Sequence, residues 1–384
     1  MGRKFFASLI AFCLISACQT TTLDLPEDVE IEASESDVID PREIVVITPS
    51  AIDARSLVQK ALPLGYRVRA RDNLAGLDLV MLTLEIPAGQ DGGSAIRELE
   101  GLEPSVTAGV NHGYVPQSAP IDAGDLNYAA RLLNWSPEGC PAAGPIGLLD
   151  TAIPGDLMGQ VTSRDFSRVA DTSEPPRHGQ DVLGVILAPG LLTDVDVVHA
   201  DVVSPNARLG DAASVDTLLR GINWMIANDV KVVNISLAGP YNKILDRAFQ
   251  LAAQKGIIVV AAAGNDGPDE GLRYPAGFAS TLAVTAIDAE LKIYQKAVRG
   301  DRLDFSAPGV DVQSGLGAPR FVSGTSIAAP FVTLRIAGDS DLMALGNVDA
   351  VRGALAETVR DLGEAGHDPV FGYGLITAPP DCRR

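Results

Sequence analysis

The sequence predicts an α/β protein: a parallel sheet with helices on both faces, preceded by a small α+β module. Three observations carry this. From about Pro145 onward, near-continuous apolar runs alternate with amphipathic helical stretches, the pattern of strands buried on both sides. Upstream, a shorter stretch reads strand, helix, strand, strand, helix, strand. The chain has 384 residues, 46% hydrophobic and 21% charged, which suits one large domain with a smaller companion and excludes wholesale disorder.

In the module, Glu43 to Thr48 (EIVVIT) is a strand and Ala54 to Leu62 has helical spacing. Tyr66, Val68 and Ala70 alternate with Arg67, Arg69 and Arg71, as in a strand with one wet face. Leu79 to Ile86 is a strand, Ser94 to Leu102 a helix and Val106 to Val110 the last strand. This βαββαβ order is that of a ferredoxin-like sandwich. In the large domain, Ile146 to Leu149 is a short apolar run. Val215, Leu218, Leu219, Ile222 and Ile226 share one helical face, and Val230 to Leu237 follows as a strand. Ile244, Leu245, Ala248 and Leu251 mark another helix, and Ile257 to Ala263 another strand. In such sheets ligands bind beyond the carboxyl ends of the strands. Asp150, Ser236 and Asn265 fall there.

Composition excludes several functions. A net charge of −19 argues against nucleic acid as a partner, since phosphate binding rests on Lys/Arg clusters. No run of 18 or more apolar residues follows the extreme N-terminus, so no internal membrane span is expected. Four histidines without His-Glu-x-x-His, and four cysteines without Cys-x-x-Cys, leave little for a zinc site. Neither a metal nor another cofactor is assigned. No Gly-x-Gly-x-x-Gly follows a strand and no Gly-x-Ser-x-Gly elbow occurs, which disfavours a dinucleotide site and an α/β-hydrolase.

The first residues read as an address. Arg3 and Lys4 precede an apolar stretch from Phe5 to Ile15, a secretory signal spanning residues 1–17. Its end, Ile15-Ser16-Ala17-Cys18, resembles a bacterial lipobox, which implies lipidation at Cys18. The expected location is the bacterial cell envelope, with a membrane as partner through the lipid. From Asp24 to Asp40 there are eight acids and no base, so residues 18–42 are expected to stay extended as an acidic tether.

Four short motifs carry the chemistry. Gly147-Leu148-Leu149-Asp150-Thr151 sets a carboxylate at a strand end, and His178-Gly179-Gln180-Asp181 opens a helix. Ala263-Gly264-Asn265-Asp266-Gly267 sets an amide on a turn. Ser323-Gly324-Thr325-Ser326-Ile327-Ala328-Ala329-Pro330 starts a helix at a serine, with Pro330 expected in its first turn. Together these motifs resemble those of subtilisin-type serine peptidases, the subtilases. The flanks Val233-Asn234-Ile235-Ser236-Leu237, Phe305-Ser306-Ala307-Pro308-Gly309 and Phe371-Gly372-Tyr373-Gly374 agree, and the resemblance covers roughly residues 140 to 380.

The resemblance implies a peptidase domain at 140–384 that hydrolyses polypeptides. Ser326 would be the nucleophile, His178 the general base and Asp150 the carboxylate that orients the imidazole. Asn265 and the Ser326 N–H would bind the oxyanion. Ser236, Leu237, Ala238, Ala262, Ala263, Gly264 and Arg273 would meet the substrate. Arg273 at the pocket floor and Ala238 in place of the usual glycine suggest small or acidic residues before the scissile bond. Gln180-Asp181 replaces the common Thr-His, and Ala152 a common glycine; the acid at Asp181 is expected to act on His178 by favouring its protonated form. Subtilases often bind calcium, but no ligand loop for it is identified here.

By the same resemblance, residues 43–116 are a propeptide-like module that inhibits the peptidase intramolecularly. Its tail, Asn111 to Gln117, would lie in the cleft, and self-cleavage would fall between about 112 and 125, within the connecting segment 117–139. Such a cut would separate the peptidase from a lipid at Cys18 unless the module stays bound. With Cys13 in the signal and Cys18 lipidated, Cys140 and Cys382 remain as a disulfide candidate. The alternative function is a non-catalytic, peptide-binding lipoprotein on the same fold.

Overall fold

The computed structural model describes residues 37–383 except 118, 122–127, 156, 158–160, 169–176, 315 and 317–319. The signal segment, Cys18 and the tether up to residue 36 lie outside the described residues.

The small module forms in the predicted order: β1 (Glu43–Thr48), α1 (Ala51–Ala61), β2 (Arg67–Leu74), β3 (Leu79–Glu85), α2 (Gly92–Leu102) and β4 (Thr107–Val110). Its antiparallel sheet runs β2-β3-β1-β4, the ferredoxin-like arrangement. Ser50 caps α1 by accepting from the N–H groups of Ile52 and Asp53, and Asp91 caps α2 through Ser94. All six residues of β1 are buried. Ile44 and Val46 pack with Leu57, Ile96 and Leu99 of the module's own helices. Val45 and Ile47, with Met81, instead join Leu218, Leu219, Ile222 and Phe249 of the large domain in one apolar cluster. Both faces of β1 are therefore covered, which is why EIVVIT shows no alternation. In β2 a bulge at Arg69 shifts the register between Val68 and Ala70. Val68 is consequently exposed rather than inside with Tyr66, and Arg69 reaches Asp40 and Glu43.

Seven parallel strands form the large sheet, in the spatial order 305–308, 281–287, 258–262, 232–235, 146–150, 197–201 and 162–165. Successive residues point to opposite faces. Ile146, Leu148 and Val232 pack with the helices His178–Ile186 and Thr325–Ala337. Leu149, Val233 and Ile235 pack with the helices Val215–Ala227 and Lys243–Gln254, onto which the small module docks.

The chain leaves the module through two further strands, β5 (Gly113–Pro116) and β6 (Ala119–Ile121). β5 enters the large domain as a middle strand, antiparallel to both Gly210–Ser214 and Leu237–Ala238. β6 pairs antiparallel with Arg320–Ser323. The end of the tether is attached rather than extended to residue 42: Gly113 N–H donates to Asp37 O (2.7 Å) and Ile39 N–H to Asn111 O (2.8 Å). Residues 111–113 thus offer backbone partners to the end of the tether.

Cys140 and Cys382 form a disulfide with Cα atoms 5.2 Å apart, closing a sequence separation of 242 residues. In the loop-entropy view such a closure contributes up to roughly 5 kcal/mol. Beside it, the buried Trp135 indole donates to Leu191 O (2.7 Å).

Candidate active site

Asp150 ends its strand fully buried. Its Oδ1 accepts from His178 Nδ1–H (2.6 Å) and from the N–H of Thr151 (2.7 Å). His178 is the first residue of its helix, and the next turn is held by Gly179 N–H donating to Thr151 Oγ1 (2.8 Å). A Cβ at Gly179 would lie 2.4 Å from Thr151 O, so only glycine permits this approach.

Ser326 is the second residue of the helix Thr325–Ala337, where backbone N–H groups lack helical partners. Asn265 follows Gly264, whose φ of 119° is open chiefly to glycine. The Asn265 amide is fixed because its Oδ1 accepts from both the N–H and the hydroxyl of Thr325, each at 3.1 Å. That leaves Nδ2 as a donor. Asn265 Nδ2 (2.7 Å) and Ser326 N (3.3 Å) converge on one oxygen, the backbone carbonyl of Gln117.

Gln117 directly follows β5, and β6 begins two residues later. The chain therefore crosses the site with a paired strand on each side of the 117–118 bond. The Gln117 side chain accepts the Asn265 N–H at its Oε1 (3.0 Å).

Ser326 Oγ and His178 Nε2 are not hydrogen-bonded. The hydroxyl donates to Ser236 O (3.1 Å), and Nε2 is buried without a partner among the described residues. Catalytic hydrogen bonds often tighten only on reaction. Pro330 stands at the sixth position, inside the helix and beyond the first turn where it was expected. It has no N–H to give Ser326 O, and Ser236 Oγ supplies that bond instead (2.9 Å).

Asp181, expected to act on His178, has both carboxylate oxygens on Arg320. Its charge is met inside that pair, and the ion pair ties the helix of His178 to the strand that holds β6. Arg273 pairs with Asp37 (3.0 Å) and lies 3.7 Å from Asp266, while the residue at the site, Gln117, is neutral. Leu237 and Ala238 pair with Pro116 and Val115, and Ala262, Ala263 and Gly264 form the strand end and turn leading to Asn265. Among the described residues no three His, Cys, Asp or Glu side chains are grouped to hold a metal ion.

Asp150, Asp201 and Asp165 stand in register on three neighbouring strands. Burial, then Asp165 and Asp150, push Asp201 up to about 7. Free Asp ionises near 3.9, so between about 4 and 7 folding binds a proton and stability falls as pH rises. Asp201→Asn is therefore expected to raise the melting temperature at pH 8 and change it little at pH 4. Equal shifts at both pH values in thermal melts would remove this account.

Residues 146–374 match the Subtilase family. The chain belongs to the subtilase family. Among curated relatives, this subtilase is 34% identical over 224 residues to the minor extracellular protease Epr of Bacillus subtilis, a match covering 55% of this chain and 34% of Epr. It is 32% identical over 227 residues to Subtilisin Savinase of Lederbergia lenta, covering 55% of this chain and 80% of that one. The chain thus spans about a third of the length of Epr. Fervidolysin of Fervidobacterium pennivorans, a keratinolytic enzyme related to subtilisin, shares the fold with a TM-score of 0.66 at 20% identity, covering 89% of this chain and 61% of its own. A lanthipeptide protease aligns at TM-score 0.51 and 20% identity, over 65% of this subtilase and 92% of its own chain.

Sequence reasoning gave no role to Thr151 and Thr325, and it named Gln117 only as the end of the tail expected in the cleft. Thr151 and Thr325 adjoin singled-out residues, so adjacency was a usable signal. Nothing in the sequence marks Gln117 within its segment.

Proposed function

We propose that this subtilase is an exported serine endopeptidase that first cuts its own Gln117–Ser118 bond. The observation that carries this reading is the Gln117 carbonyl oxygen held by two donors, Asn265 Nδ2 and Ser326 N–H. Those are the groups needed where negative charge develops on a carbonyl under attack. The Ser326 hydroxyl is three bonds from the nitrogen that donates to the Gln117 oxygen.

In the proposed reaction Ser326 Oγ attacks that carbon while His178 Nε2 takes the hydroxyl proton. Asp150, bonded to Nδ1, holds the ring tautomer and stabilises the imidazolium. The C–N bond to Ser118 breaks as His178 passes the proton to the leaving nitrogen. Water then attacks the ester carbon as His178 takes its proton, the bond from that carbon to Ser326 Oγ breaks, and His178 returns the proton to Oγ, leaving a carboxylate on Gln117.

After the cut, the module is proposed to remain as an inhibitor, because β5 still fills the cleft as a middle strand. Ion pairs across the interface support retention, each with the acid on the N-terminal side: Asp37–Arg273, Glu43–Arg168, Asp72–Arg220, Asp78–Lys255 and Glu100–Lys243. A lipid at Cys18 would then hold the peptidase at the membrane through the docked module. Among the described residues no helix is long and apolar enough to cross a membrane.

The alternative, a peptide-binding lipoprotein without catalysis, has the same fold but no reactive serine. A fluorophosphonate probe, applied after the docked module has been removed from the cleft, separates the two: covalent labelling at Ser326, abolished in His178→Ala, is the expected result. An unlabelled Ser326 in that uncovered site would favour the binding reading.

A further inference from the structure

Of the histidines outside the proposed triad, His199 is fully buried in the sheet. Its Nε2 lies 3.0 Å from Thr151 O and its Nδ1 2.9 Å from Ser163 Oγ. A carbonyl oxygen only accepts, so Nε2 carries the proton and Nδ1 accepts from the Ser163 hydroxyl. Burial pushes the His199 pKa down, against smaller opposing effects of Asp150 and the Thr151 carbonyl; the ring is therefore neutral at working pH, as this bonding requires.

Thr151 joins every part of the acid–base pair. Its N–H donates to Asp150 Oδ1 (2.7 Å), and its hydroxyl accepts the N–H of Gly179 (2.8 Å), the neighbour of His178. Its carbonyl receives His199. Asp150 and His178 come from a strand end and a helix start 28 residues apart, and beside their direct bond Thr151 bonds to both segments.

We infer that His199 is a positioning residue for catalysis: through Thr151 it fixes the separation of Asp150 and His178, with the Thr151 carbonyl setting its tautomer and the Ser163 hydroxyl holding Nδ1. This rests on the functional reading above, since it concerns the same acid–base pair. It touches neither substrate nor any reacting atom. Its removal is expected to slow the chemical step while leaving substrate binding alone, on the ten- to hundredfold scale at which small misplacements act.

The test uses the full chain and three readouts: the rate of self-cleavage, kcat and KM on an added peptide, and the downfield NMR signal of the proton between His178 Nδ1 and Asp150. Phenylalanine fills the site without a donor, whereas glutamine keeps one near the Nε2 position. His199→Phe is expected to lower the self-cleavage rate and kcat ten- to hundredfold at unchanged KM, and to shift the proton signal. His199→Gln is expected to restore most of both. Wild-type kcat in His199→Phe, or equal loss in the two variants, overturns the inference. Should His199→Phe fail to fold, Ser163→Ala and Ser163→Thr carry the test: a several-fold lower kcat in the first and recovery in the second support it, and equal rates overturn it. Should the wild-type chain hydrolyse nothing, the functional reading fails; the proton signal then decides the inference alone, and an unchanged signal in the variants overturns it.

Discussion

Ser326→Ala is expected to leave the chain uncut, with the 37–117 region still docked. The substitution removes only the hydroxyl. The backbone N–H that donates to Gln117 O remains, as does Asn265 Nδ2, so the carbonyl keeps both donors. Folding and docking depend on the shared apolar cluster and the cross-interface ion pairs, none of which involves Oγ. The proposed cleavage requires it. Loss of this nucleophile lowers the rate by about six orders of magnitude, a figure taken from a subtilisin rather than from this chain. Gel analysis of purified protein should show one full-length band for Ser326→Ala where the parent shows two fragments. Conversion of the variant at a comparable rate would assign the cut to another agent.

Asn265→Ala is expected to slow both self-cleavage and peptide hydrolysis by about 100- to 1,000-fold, again a magnitude measured in a subtilisin. Two features make Asn265 the stronger donor here. Its bond to the Gln117 oxygen is the shorter, 2.7 against 3.3 Å. Its amide is also locked by Thr325, so no reorientation is needed as charge develops. A group that acts on developing charge lowers kcat when removed and spares KM. A variant that raises KM at unchanged kcat would show that Asn265 binds the ground state instead. Thr325→Val separates the lock from the donor: it removes one of two bonds to Oδ1 and is expected to cost less than Asn265→Ala.

What the sequence made legible was local. Apolar runs at Val232–Ile235 and Ile258–Ala262 are strands because a parallel sheet covered on both faces needs no alternation. The same composition in EIVVIT was read as a strand, but not as the floor of an interface. Its second buried face comes from helices more than 160 residues later, and no local pattern records that. The site followed the same division. Asp150, His178, Asn265 and Ser326 sit in short motifs with recognisable neighbours, and the order of the four motifs together with their flanks marked them as a set. Their supports are long-range: Thr325 holds Asn265 across 60 residues, and Arg320 takes Asp181 across 139. Asp181 looked like a modifier of His178 because the two are close in sequence; the helix turns its carboxylate to a strand far down the chain. Pro330 illustrates the reverse case. Its missing N–H looked harmless only at a first-turn position, yet it is tolerated deeper because Ser236, from another strand end, bonds the freed Ser326 carbonyl.

The account turns on Gln117 being poised as the residue whose carbonyl is attacked. N-terminal sequencing of the mature protein, paired with the intact mass of the released module, tests this directly. The predicted result is a mature chain beginning at Ser118 and a module ending at Gln117, both absent from Ser326→Ala. A mature chain beginning at any other residue, or a chain that stays whole while Ser326 reacts with a fluorophosphonate, would contradict it.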